Sequence, residues 1–172
     1  MSDLDARSLQ ERFAPASVCF GCGPANRDGL GLRSFPDPHR TDGLVATWMP
    51  SPHHHAFANV LNGGIVGALM DCHANWAAAM ALMRASGADL PPATVTAGYE
   101  VKLLAPTLTD APLTIHSWPV SVQGRRVTSE ARIEAVDGSV TATFLGRFVA
   151  VHEEHPAHDR WQPGEGPTPG AG

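Results

Sequence analysis

In "VLNGGIVGALMDCH", residues 60–73, two adjacent glycines precede an apolar run broken by a single aspartate, Asp71. Histidines aside, Asp71 is the only charged residue between Asp42 and Arg84. A carboxylate in such a setting can attack a carbonyl or take a proton from water. Gly63 and Gly64 supply the complementary part. The first N–H groups of a helix have no intrahelical acceptor and lie at the positive end of its dipole. With no side chain in the way, they can donate to an oxygen that gains negative charge during a reaction. A carboxylate two turns further along could then act on the other side of the same carbonyl.

These residues need a helix to hold them, and the pattern provides one from Gly64 to about Arg84. Ile65, Leu69, Cys72, Trp76, Met80 and Met83 recur at spacings of three and four and form one bulky apolar face. Gly87 and Pro91-Pro92 end it. At about 100° per residue, Gly64, Gly67, Ala68, Ala74, Asn75 and Ala78 fall within about 60° of Asp71. This stripe of small residues predicts that Asp71 faces a groove open to a ligand or another chain. His73 lies about 160° around the helix from Asp71, which excludes a dyad between them. Cys72 points with the bulky face and reads as a buried, inert thiol.

The rest of the chain reads mostly as strands. "GLRSF" and "LVATWM" precede the helix, separated by a turn-rich stretch, and "PSPHHHAFANVLN" reads as a second connection that leads into the glycines. After it, Val95, Ala97, Tyr99, Val101 and Leu103 alternate with Thr96, Gly98, Glu100 and Lys102. Three more strands are expected at about 112–122, 126–136 and 140–151, with "VDGS" as a tight hairpin. Residues 1–17 form an N-terminal extension with a short amphipathic helix, 18–152 the domain, and 153–172 a Pro/Gly-rich, poorly ordered tail. The expected class is α+β, an antiparallel sheet wrapped around one long central helix.

The chain has 172 residues, 43% hydrophobic and 17% charged, with a formal charge of −5. No basic run supports nucleic-acid binding. No apolar stretch reaches 18 residues without a polar break, so no membrane span is expected. Three cysteines and an N-terminus without a signal-peptide pattern point to reduced thiols and a cytoplasmic setting.

"GGIVGALMD" (63–71), the earlier "CFGCGPANRDGLGL" and the later "TVTAGYEVKLLAP", "GRRV" and "EARIEAVDGS" together resemble hot-dog-fold acyl-CoA thioesterases, and among them the phenylacetate-degradation type. The resemblance runs from about Val18 to Val151. It implies a homodimer or homotetramer with active sites between subunits, an acyl-CoA substrate, and no cofactor or metal. It further implies that Asp71 is the catalytic carboxylate and that the Gly64 N–H, supported by Gly63, polarises the thioester carbonyl. Thr96 matches a hydroxyl position that in some relatives helps to hold the attacking water. Two departures stand out. Asn62 occupies the place where many relatives have histidine, and its amide is expected to donate in a similar way. Ala56 stands where some relatives have an assisting asparagine, and Asn59 is three positions away.

Other groups were weighed for chemistry. Cys19 and Cys22 have the spacing of a zinc knuckle, but the sequence offers no second CxxC and no histidine pair beside them, so no metal site is expected. His53, His54 and His55 read as exposed loop histidines, although contact with substrate remains open to them. Arg125 and Arg126 follow Gly124 at a hairpin turn and are candidates for the phosphates of coenzyme A; a solvated pair is the plainer account. Two other functions fit the same fold. A non-catalytic acyl-CoA sensor or carrier would accommodate Asn62, and an enoyl-CoA hydratase would need an Asp–His pair that the helix denies to Asp71 and His73.

Overall fold

A computed structural model of the chain describes residues 7–161. After a short helix, α1 (Leu9–Phe13), come β1 (Phe35–Pro36), β2 (Leu44–Trp48), β3 (His55–Phe57) and β4 (Val60–Leu61). The long helix α2 (Gly63–Ser86) follows, and then β5 (Thr94–Leu103), β6 (Leu113–Gln123), β7 (Arg126–Glu134) and β8 (Val140–Ala150). Six strands form one antiparallel sheet in the order β1-β2-β6-β7-β8-β5, which leaves β5 at an edge. The sheet wraps around α2, the architecture expected from the sequence. The Asp137-Gly138 hairpin turns with Gly138 at φ 82, a left-handed conformation that glycine adopts without steric cost.

Local chemistry bounds α2 at both ends. Asn62 is its N-cap, and Gly87 at φ 66 is a left-handed C-cap whose N–H donates to the Met83 and Arg84 carbonyls. Two differences from the sequence pattern have clear causes. "GLRSF" contributes only Phe35 to the sheet, followed by Pro36, because the Leu32 and Ser34 N–H groups donate instead to the Gly21 carbonyl and to Gln10 Oε1. "HAFANVL", expected as a plain connection, is a small β3–β4 hairpin turning at Asn59 with φ 63, a conformation that asparagine tolerates.

The helix is enclosed on nearly all sides, with Leu69, Met70, His73, Ala74, Trp76 and Ala77 almost without exposure. By length and composition α2 contains a window apolar enough to cross a membrane, which the polar breaks in the sequence had argued against; 72% of that window is buried inside the fold. The expected helix within 1–17 is the single stretch Leu9–Phe13, closed by a Ser8–Glu11 capping box. Leu9 and Ala14 join the core. Of the tail, residues 153–161 carry turns and a 3-10 turn at His158–Trp161, and 162–172 lie outside the described residues.

A buried polar relay joins α1 to α2. Gln10 Nε2 donates to Ser34 Oγ at 2.9 Å, and Ser34 Oγ donates to His73 Nδ1 at 2.8 Å. His73 Nε2 then donates to the Leu44 carbonyl at 3.2 Å, since a carbonyl can only accept. Burial pushes the His73 pKa down to about 4, because the imidazolium would lose its hydration. The unfolded chain therefore binds a proton that the folded chain does not, and stability falls as pH drops from about 6.5 toward 4. Urea unfolding should show a loss of about 2 kcal/mol between pH 7 and pH 5 from this group. His73→Gln should flatten that slope, and an unchanged slope would assign it to other residues.

Candidate active site

The start of α2 is built around Asn62. Its Oδ1 accepts the Gly64 N–H at 2.8 Å, the usual N-cap bond. The sequence led us to expect the Asn62 amide as a donor, but capping turns its oxygen inward along the chain. The Gly64 N–H is thus occupied by the protein's own side chain, at a position where both residues are exposed. The Gly63 N–H, at the first helical position, has no intrahelical acceptor.

Two turns on, Asp71 is half-buried and Thr96 Oγ1 donates to its Oδ1 at 2.8 Å. One turn deeper, Thr94 Oγ1 donates to Asn75 Oδ1, with both residues buried. The spacings match: four residues on α2 and two on β5 each advance about 6 Å. The two rungs fasten the edge strand to the helix and aim the carboxylate. Strict alternation on β5 would put Thr96 on the face opposite Tyr99, Val101 and Leu103. A β-bulge between Thr96 and Gly98 changes the parity, so the threonines and these apolar residues all face α2.

The small residues of α2 make room for that strand. A Cβ at Gly63 would stand 3.2 Å from Leu103 Cδ1, and one at Gly67 3.5 Å from Tyr99 Oη. Ala74, Asn75 and Ala78 are covered within the chain, so the expected open stripe survives only in its first half, at Gly64, Ala68 and Asp71. Beside that half lies an apolar groove of about 410 Å³ lined by Phe57, Leu61, Gly63, Val66, Leu103 and Pro106.

The remaining candidates separate clearly. Arg125 Nη1 donates to the Ala150 carbonyl and to His152 Nδ1, both at 3.1 Å, and so holds the end of β8. Arg126 lines a second cavity of about 460 Å³ with Gln123, Thr128 and Arg147. Ala97, at the bulge next to Thr96, lines it too. Arg147 was missed in the sequence because nothing in a lone strand arginine marks its cross-strand neighbours. The expectation of exposed loop histidines fails for two of the three. His54 is buried against Trp48 with ring centroids 5.0 Å apart, and His55 Nε2 pairs with Thr109 Oγ1 at 2.7 Å. Burial, then the His53 and His55 rings, lowers the His54 pKa. Cys72 is not isolated: its sulfur lies 3.7 Å from that of Cys19, with Cys22 in the same group.

The thioesterase superfamily model matches residues 58–142, a stretch that includes Asn62, Gly64, Asp71 and Thr96. A thioesterase superfamily protein of Shewanella loihica is 28% identical over 75% of this chain and 98% of its own, with a TM-score of 0.59. The fold is shared with the Haemophilus influenzae thioesterase HI1161 (15% identity, 75% of this chain and 84% of that one, TM-score 0.61). It is shared as well with the Escherichia coli PaaI protein of the phenylacetic acid degradation operon (16% identity, 72% and 81%, TM-score 0.60). The search of curated proteins found no match. Residues 58–142, which carry the helix and most of the sheet around it, match the thioesterase superfamily.

Proposed function

We propose that this protein hydrolyses an acyl-CoA thioester to a carboxylic acid and free coenzyme A. The match of residues 58–142 to the thioesterase superfamily supports a thioester hydrolase in general; the substrate and the roles below are our reading of the site. The observation that carries it is the half-buried Asp71 carboxylate, aimed by Thr96 beside a helix that opens with two glycines. Asp71 takes a proton from a water that donates to its carboxylate beside the Thr96 hydroxyl, which holds Oδ1 directly. The water oxygen attacks the thioester carbon, the carbonyl oxygen gains charge, and the C–S bond then breaks. The proton passes to the departing sulfur, which leaves as the thiol.

The carbonyl oxygen is best held by N–H groups at the start of α2. Seven residues separate Gly64 from Asp71, about 10 Å along the axis, too far for one carbonyl to touch both on the same helix. We therefore place Gly64 of one subunit opposite Asp71 of another in a homodimer, the smallest assembly that completes the site. An unpaired edge strand and exposed Phe57, Tyr99, Leu103 and Leu108 around the apolar groove favour such pairing. The acyl group occupies the groove, and Arg126 with Arg147 meets the phosphates of coenzyme A.

Asn62 must give up the Gly64 N–H for the carbonyl to bind there. That competition favours one alternative, a protein that binds acyl-CoA without turning it over. Release of free thiol from a panel of acyl-CoAs separates the two, and tight binding with no release would establish the non-catalytic protein.

Asp71→Asn should lower kcat about 10²–10⁴-fold with the fold intact by circular dichroism. Near-normal turnover in that variant would remove Asp71 from the mechanism. A single turnover in ¹⁸O-water should label the product acid and leave the Asp71 carboxyl unlabelled; label in Asp71 would make it the nucleophile.

Asn62→Gly removes the cap at a cost of only a few tenths of a kcal/mol and frees the N–H. With a cap bond of about 1 kcal/mol, kcat/KM should rise about 5-fold. A fall would show that the Asn62 amide assists the carbonyl. Arg126→Ala should raise KM for acyl-CoA and leave turnover of the matching acyl-N-acetylcysteamine, which lacks the phosphates, unchanged; equal effects on both would exclude a phosphate contact.

A further inference from the structure

The three cysteines, separated in sequence by 3 and 50 residues, converge. The sulfurs of Cys19, Cys22 and Cys72 all lie within 4.8 Å of one another, and Cys19 and Cys72 are 3.7 Å apart. Two thiolates bound about 2.3 Å from a tetrahedral zinc ion stand about 3.8 Å apart. A disulfide would need about 2.05 Å. From this arrangement we infer that Cys19, Cys22 and Cys72 form a three-thiolate site for one zinc ion, with the fourth position left to a solvent ligand.

The loop shape serves the same end. A Cβ on Gly21 would lie 2.4 Å from the Cys72 sulfur, so only glycine lets α2 approach there. A Cβ on Gly23 would lie 2.4 Å from both the Cys19 nitrogen and the Ser17 carbonyl oxygen, which keeps the turn tight. Hydrogen bonds from Leu30 N to Phe20 O at 2.7 Å and from Leu32 N to Gly21 O at 3.0 Å fix the loop against its own return. Cys22 is buried, while Cys19 and Cys72 keep partial exposure, so an ion and a water have a way in. Cys72 arrives on α2, 50 residues beyond Cys22, a spacing that marks no metal site along the chain. Bound zinc would tie the 19–32 loop to the helix one residue from Asp71.

The test reads metal and is independent of thioester turnover. The chain, purified with reductant and without chelator, should contain about one zinc per chain by elemental mass spectrometry. Stripped chain titrated with cobalt(II) should develop the thiolate-to-cobalt charge-transfer band and the visible bands of a tetrahedral site at one equivalent. Cys19→Ser and Cys22→Ser should lose both signals. In case either variant fails to fold, protection of all three wild-type thiols from native alkylation by zinc gives a second readout. Failure of the wild-type chain to bind either ion stoichiometrically would overturn the site. So would metal content unchanged in folded Cys19→Ser and Cys22→Ser, or a Cys19–Cys72 disulfide in chain alkylated directly on lysis.

Discussion

A helix enclosed by a sheet has no bulk water to satisfy its polar side chains, so each must find a partner from the elements around it. On α2 three polar residues within five positions meet that requirement in three directions. Asp71 accepts from Thr96 and Asn75 from Thr94 on the edge strand, while His73 engages Ser34 and the Leu44 carbonyl on the opposite side. Ser117 Oγ on β6 adds a bond to the His73 carbonyl at 3.1 Å. The polar residues thereby fix the rotation and depth of a helix whose apolar surface, being nearly continuous, would specify neither.

The same constraint shapes the site. Thr96 reaches Asp71 only because β5 carries a bulge at Ala97, and β5 packs closely only because α2 presents glycine and alanine to it. Removing the bulge would send Thr96 to the outer face and leave the carboxylate without this donor. Stability and chemistry draw on one hydrogen bond here. A threonine that satisfies a half-buried carboxylate holds it in the orientation a base requires.

In the proposed reaction, capping and catalysis meet at the other end of the helix. An asparagine oxygen is among the best acceptors for the second and third N–H groups of a helix. A substrate carbonyl placed at Gly64 as proposed would have to compete with a neighbour that is covalently tethered beside it. Replacing histidine by asparagine thus changes the state of the donor and not only the identity of the nearby side chain. Cys72 follows Asp71 directly, so the thiol cluster and the carboxylate share one turn of α2 while facing different elements.

The sequence alone determined the elements that rest on local chemistry. The helix ends follow from Asn62 and Gly87, the β7–β8 hairpin from Asp137-Gly138, and the single intrahelical carboxylate from composition. The family motif carried Gly64, Asp71 and Thr96. Tertiary structure decided what depends on approach between distant segments. Period-two alternation cannot reveal a bulge, so the face that Thr96 joins became known only when β5 was paired with β8. A stripe of glycine and alanine signals close approach but not what approaches, and here half of it receives the chain's own edge strand. Cys72 and Arg147 lie at spacings that carry no signal, because their partners are supplied by a loop 50 residues away and by a neighbouring strand. Periodicity and capping are encoded in neighbouring residues, whereas these contacts are set by how the sheet closes around the helix.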